Sequence, residues 1–164
     1  MVAVFILADV IAYLLSFGMT PFSVVLDTNV FIGALLGEVG ANRKLVRLCL
    51  QGRIEPLMGV ALFAEFESLM ARRDVFRKCA LNEAERNELL DSFLGACRWV
   101  PVYFLWRPNL PDEADNHLVE LAAAGGASVI ATNNVRDFVG EQMRFLGIEA
   151  MSPGAFIKHW ESQR

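Results

Sequence analysis

Residues 22–36 read FSVVLDTNVFIGALL, and the succession of chemical types along this stretch decides the fold. FSVVL (22–26) is a short apolar run of strand length, the pattern of a strand buried on both faces. The polar trio Asp27, Thr28 and Asn29 then opens a short helix through Leu36, and Gly37 ends it. The result is a strand-to-helix turn with a carboxylate at its tip.

Working outward, the same alternation repeats. A helix is expected from about Asn42 to Gln51, with Leu45, Leu48 and Cys49 on one face and a stop at Gly52. RIEPLM (53–58) suits a short strand in which Pro56 marks an end or a sheet edge. The next helix runs from about Val60 to Arg72 on a stripe of Leu62, Phe63, Phe66, Leu69 and Met70. Another begins at Asn82, whose side chain caps while Glu85 reaches back, a capping-box pattern. Its core face is Leu89, Leu90, Phe93 and Leu94. WVPVYFL (99–105) reads as a strand interrupted by Pro101, and the loop RPNLP (107–111) leads to a helix at 113–124 closed by Gly125 and Gly126. Strand ASVIA (127–131), the polar turn Thr132, Asn133, Asn134, and a last unit of IEAM (148–151) with a helix starting at Ser152 and Pro153 complete the chain.

Strands separated by helices imply a central parallel sheet covered on both faces, a three-layer α/β/α sandwich. In such sheets ligands sit at the carboxyl ends of the strands, near a switch in strand order. Asp27 follows the first strand, and Asn134 and Asp137 follow the ASVIA strand. Two acids far apart in sequence are thereby expected in one cleft.

Helical geometry adds candidates. Asp115 lies about 55° from the apolar direction set by Leu118, Val119 and Leu121, whereas His117 and Glu120 point near the opposite side. His117 accordingly reads as a surface residue. Asp115 is also in the first turn, where the helix dipole favours a carboxylate. Glu65 and Glu67 flank the stripe of their own helix on opposite sides, and periodicity does not choose between them.

Clustered carboxylates repel and raise one another's pKa unless a cation offsets them. Oxygen donors without a Cys/His pairing point to Mg²⁺ or Mn²⁺ rather than zinc. A cation so held orients a water and screens a phosphodiester, which is the chemistry of phosphate-ester hydrolysis.

VVLDTNVFIGALL (24–36), FAEFESLMAR (63–72), DEADNHLVELA (112–122) and VIATNNVRDF (129–138) together resemble the successive motifs of PIN-domain proteins, especially the ribonuclease toxins of bacterial toxin-antitoxin pairs. The likeness spans about residues 22–157. It implies a sheet order of 3-2-1-4-5 and metal-dependent endoribonuclease activity. Asp27 matches the first acid, Glu65 rather than Glu67 the second, and Asp115 the third, with Asp112 a nearby acid. Asp137 matches the acid of the variant ending in Asp-Phe, while Asn134 stands where many relatives have aspartate. The resemblance thus implies Asp27, Glu65, Asp115 and Asp137 as the active residues, with Asp27, Asp115 and Asp137 at the metal. Asn29, Asp112, Thr132 and Asn134 support them. It further implies an RNA substrate, a cognate antitoxin, and dimers of the kind relatives commonly form.

The 15 basic and 19 acidic residues leave a net charge of -4, which argues against avid nonspecific nucleic-acid binding. With the five acids of the cluster (Asp27, Glu65, Asp112, Asp115, Asp137) set aside, 14 acids face 15 bases and the remaining surface is near neutral. Arg43, Lys44 and Arg47 on one helix, and Arg72, Arg73, Arg77 and Lys78 in a second group, are candidates for RNA-backbone contacts. The simpler reading of either group is a solvated helix face. Three cysteines, Cys49, Cys79 and Cys97, form no C-x-x-C and suit a reducing cytoplasm.

Hydrophobic residues make up 54% of the 164, and residues 1–18 (MVAVFILADVIAYLLSFG) hold 15 of them. Three readings of this segment stand open: a signal peptide, which lacks a basic start; a membrane anchor or surface helix, with Asp9 mid-span; or an extension ahead of a true start at Met19, the reading we favour. Residues 19–164 are then the domain. Two other classes compete for the function. One is a degenerate scaffold of the same family that binds RNA or a protein without cutting. The other is a haloacid-dehalogenase-like phosphatase, which expects a second aspartate where Asn29 stands.

Overall fold

The computed structural model of the chain describes residues 22–37, 40–103, 110–138 and 141–163. The expected extension 1–18 and the start at Met19 lie outside the described residues, as does the end of the expected 99–105 strand. Among the described residues no helix is long and apolar enough to cross a membrane.

Strand β1 (Phe22–Leu26) runs straight into α1 (Thr28–Leu36), then α2 (Ala41–Leu50), β2 (Ile54–Met58), α3 (Val60–Met70), α4 (Glu83–Ala96) and β3 (Arg98–Trp99). After a 3-10 turn at Glu113–Asp115 come α5 (Asn116–Gly125), β4 (Val129–Ala131), a second such turn at Val135–Asp137, α6 (Glu141–Leu146), β5 (Glu149–Met151) and α7 (Pro153–Ser162). The strands form one parallel sheet in the order β3-β2-β1-β4-β5, flanked by helices in the expected three-layer arrangement. β1 is the central strand, with Val25 opposite Leu57 on one side and Ile130 on the other, and Val24, Val25 and Leu26 are buried. A strand hydrogen-bonded on both sides and covered on both faces has little surface left for polar residues, which is why Val24, Val25 and Leu26 are apolar without a break.

Local signals set the helix ends. Asn82 and Glu85 form a complete capping box at α4, each side chain accepting from the other's backbone N–H at 3.0 and 2.8 Å. Ser152 caps α7 ahead of Pro153. Gly126 closes α5 at φ 71°, a left-handed conformation that costs glycine little. In the core Phe31 of α1, Phe66 of α3 and Phe93 of α4 form a triangle with ring centroids 5.1 to 5.9 Å apart. All three are fully buried. They lock α1, the helix that carries the site turn, to its neighbours, each pair adding about 0.5–1.5 kcal/mol beyond its buried area.

Three expectations need correction. Among the described residues the expected 99–105 strand is only Arg98–Trp99; Val100 still donates to Met58 O, but Pro101 has no N–H to continue the ladder, and 101–103 are not strand. The hint of a sheet edge at Pro56 holds for one side only: β2 is interior, yet β3 pairs only with Leu57 and Met58. Met58 faces β3, and since strand residues alternate sides, Pro56 turns its missing N–H to the same side, where β3 has not begun. Lastly, α6 precedes β5 where no helix was expected.

Candidate functional site

The site lies where β1 and β4 end side by side. Asp27 N donates to Ala131 O at 3.0 Å, so the two strand ends are tied at the point where each turns polar. Asp27 is the N-cap of α1: its Oδ1 accepts from Asn29 N at 3.2 Å, and its Oδ2 from Asn29 Nδ2 at 2.8 Å and Thr132 Oγ1 at 2.6 Å. Thr132 is wholly buried and also accepts from Asn134 N at 3.0 Å. Asn133 N in turn donates to Asn29 Oδ1 at 3.1 Å. The turn after β4 is thereby laced to the turn after β1, and the Asp27 carboxylate is held in one orientation. Burial pushes its pKa above the ordinary value and the charge of Glu65 adds to that, while the hydrogen bonds from Thr132, Asn29 and Thr28 pull it down.

Glu65 reaches the same turn from α3. Its Oε1 accepts from Thr28 Oγ1 at 2.6 Å, and its Oε2 lies 3.1 Å from His117 Nε2, close enough for an ion pair although not aligned as a hydrogen bond. Glu67, on the other flank, is exposed. His117 and Thr28 hold the Glu65 carboxyl below its usual range against the opposing effect of burial. For His117, burial disfavours the charged ring, but Glu65, the Ala114 carbonyl and Asp115 outweigh it and raise its pKa.

Asp115 closes the 3-10 turn ahead of α5 and is half-buried. Its carboxyl is pushed up to about 6, first by burial and then by the charges of Asp27, Asp112, Asp137 and Glu65. Charges from three other stretches of chain, at Asp27, Glu65 and Asp137, thus reach Asp115 together with that of Asp112 in its own turn. Asp112 is exposed and spends Oδ1 on Ala114 N at 2.9 Å. Asp137 is half-buried in the turn after β4, and Asn134 is exposed beside it.

Among the described residues no three carboxylate, imidazole or thiol groups close around a single point. The acids whose charges reach Asp115 are all oxygen donors, and a divalent cation beside it would relieve their repulsion. Mg²⁺ suits such a place, because it keeps several waters and takes one or two carboxylates.

A family model described as PIN domain matches residues 23–136, more than half the chain. The chain belongs to the PIN-domain family. No curated protein matches it in sequence. The PIN domain is similar in fold to a chain in the crystal structure of VapBC2 from Rickettsia felis bound to a DNA fragment from their promoter, with a TM-score of 0.55 and 15% identity over 79% of this chain and 98% of that one.

Within this PIN domain the basic candidates fall into two places. Arg43, Lys44 and Arg47 are exposed on α2, where Lys44 pairs with Glu161 at 2.9 Å and Arg43 donates to Gly37 O at 3.2 Å. Arg72, Arg73, Arg77 and Lys78 are exposed on the turns after α3. The surface reading of His117 is overturned by its pairing with Glu65, and Glu120, set opposite the core by periodicity, is buried. The sheet covers one side of α5, but α3 covers a second, so a residue turned from the sheet is not thereby turned to water. A Glu on one helix and a His on another carry no joint signal in sequence, which is why this pair went unforeseen.

Proposed function

We propose that this PIN domain is a Mg²⁺- or Mn²⁺-dependent endoribonuclease, the toxin of a toxin-antitoxin pair working in the cytoplasm. The observation that carries the reading is the joining of acids at the strand ends: Asp27 is held by Asn29 and Thr132, the Thr28 hydroxyl reaches both Asp27 and Glu65, and the charges of Asp27 and Glu65 add to burial in raising the pKa of Asp115. Asp27, Asp115 and Asp137 would hold the cation, with Glu65 beside them. When bound, it would supply a water of lowered pKa and positive charge against the phosphate.

The chain's own residues do the rest. Asn29 and Thr132 orient Asp27 by hydrogen bonds to its carboxylate. Thr28 fixes Glu65. Asp112 shapes the turn that presents Asp115. The arginines and lysines of α2 and of the turns after α3 would contact the RNA backbone. Hydrolysis adds water oxygen to phosphorus and breaks the bond from phosphorus to the 3′ oxygen, leaving a 5′-phosphate and a 3′-hydroxyl. A small antitoxin is the proposed partner; the fold shared with a chain of the promoter-bound VapBC2 structure supports it.

The test is cleavage of single-stranded RNA with Mn²⁺, with chelator, and with Asp27→Asn. Cleavage that needs the ion and vanishes in a folded Asp27→Asn variant is the expected result, and undiminished cleavage by that variant would sink the assignment. A second reading, a scaffold that binds RNA or protein without cutting, is favoured by Asn134 in place of an acid. Calorimetric titration with Mn²⁺ separates the two, since a scaffold has no need of the ion.

A further inference from the structure

His117 lies between α5 and α3, its Nδ1 at hydrogen-bond distance from a carbonyl and its Nε2 facing the Glu65 carboxylate at ion-pair distance. Nδ1 is 2.7 Å from Ala114 O, a carbonyl that can only accept, so the ring's rotation is set from its own helix. Nε2 is 3.1 Å from Glu65 Oε2. The other Glu65 oxygen takes the Thr28 hydroxyl at 2.6 Å, and that hydroxyl is also 3.4 Å from Asp27 Oδ1. One carboxylate is therefore gripped from two helices, with Asp27 next in chain to one grip and Asp115 two residues before the other. The Glu65 side chain is 38% exposed, long, and free to spread over many rotamers unless something holds it, whereas the His117 ring is only 20% exposed.

We infer that His117 is a positioning residue for RNA hydrolysis: the α5 imidazole pins the Glu65 carboxylate against Thr28, inside the acid cluster. This rests on the reading of the site as a cation-dependent ribonuclease. A purely structural tie between helices would stabilise the fold and leave turnover alone; a positioning tie acts on kcat, through Glu65 alone.

The experiment uses the full chain as wild type, His117→Leu, His117→Gln, Glu65→Gln and the double variant His117→Leu/Glu65→Gln. Each is assayed for cleavage of a single-stranded RNA oligonucleotide with Mn²⁺, for Mn²⁺ binding by calorimetry without RNA, and for thermal midpoint. His117→Leu is expected to lower kcat about tenfold to a hundredfold with little change in KM, as for a misplaced group in a preorganised site. It should also weaken Mn²⁺ binding. His117→Gln, whose amide can donate to Glu65, should recover part of both. In the Glu65→Gln background His117→Leu should cost nothing more, because the two act as one unit. Wild-type kcat and Mn²⁺ affinity in His117→Leu overturn the inference, as does an equal loss in the Glu65→Gln background or a loss that follows a lowered midpoint. A wild type that neither binds Mn²⁺ nor cleaves overturns instead the functional reading beneath it.

Discussion

Thr132 Oγ1 donates to Asp27 Oδ2 across 2.6 Å, joining the ends of two neighbouring strands that are 105 residues apart in sequence. Both residues are buried, so neither group has water as a substitute partner. Thr132→Val keeps the shape and removes the hydroxyl, leaving Asp27 one donor short and Asn134 N without its acceptor. The expected cost is about 1–3 kcal/mol, the penalty for an unmet buried polar group. Urea unfolding measures it, and the same variant should bind Mn²⁺ more weakly because Asp27 is no longer held in one orientation.

Asp115 gives a pH signature in the ion-free protein. Its folded pKa, about 6, lies above the ordinary 3.8, so the folded state binds the proton more tightly than the unfolded chain. The stability from this group is fully present below pH 3.8 and is lost as pH rises through about 6. Asp115→Asn lacks that loss. The variant should match wild type near pH 4 and exceed it at pH 7 by on the order of 1 kcal/mol, solvent screening of a half-buried carboxylate having reduced the full shift. Added Mn²⁺ should raise the midpoint of wild type and do little for the variant. Equal pH profiles for the two proteins would show that the cluster carries no strain.

Phe93 tests how the site turn is supported. It has no exposed surface and touches both Phe31, which belongs to α1, and Phe66. Phe93→Ala should cost about 3–5 kcal/mol by lost burial and a residual cavity. Chemical denaturation monitored by circular dichroism checks it, and a cost under about 1 kcal/mol would mean that α4 collapses onto the gap.

The two basic groups should differ in their effect on RNA. Lys44 already faces Glu161 at 2.9 Å, while Arg72 and Arg73 stand exposed on the turn after α3. Arg72→Ala with Arg73→Ala is expected to weaken binding of single-stranded RNA and to lower the slope of log affinity against log salt by about 1.4, about 0.7 for each phosphate no longer neutralised. Lys44→Ala should change that slope less. Filter binding across a salt series distinguishes them.

Most of the fold was legible where one segment's own chemistry decides its structure. The run at 22–26 ending on Asp27, the capping box at Asn82 and Glu85, and the Ser152-Pro153 helix start depend on residues within a few positions of one another, and each was found as read. The order of the sheet came from the four motifs taken together. The length of β3 was overread because apolar content in 99–105 suggested a strand, whereas the ladder stops where Pro101 has no proton to donate.

What sequence alone determined is the turn that carries Asp27, since strand, polar trio and helix follow from local periodicity and capping; the other acids it offered as candidates. Tertiary structure alone decided the contacts between these side chains: Thr132 on Asp27, Thr28 and His117 on Glu65, and the burial and neighbouring charges at Asp115. Helical periodicity reports one buried direction for each helix, and α5 has two, one toward the sheet and one toward α3. The physical reason is that a hydrogen bond or ion pair between elements depends on how two helices pack across a sheet, which no single segment encodes.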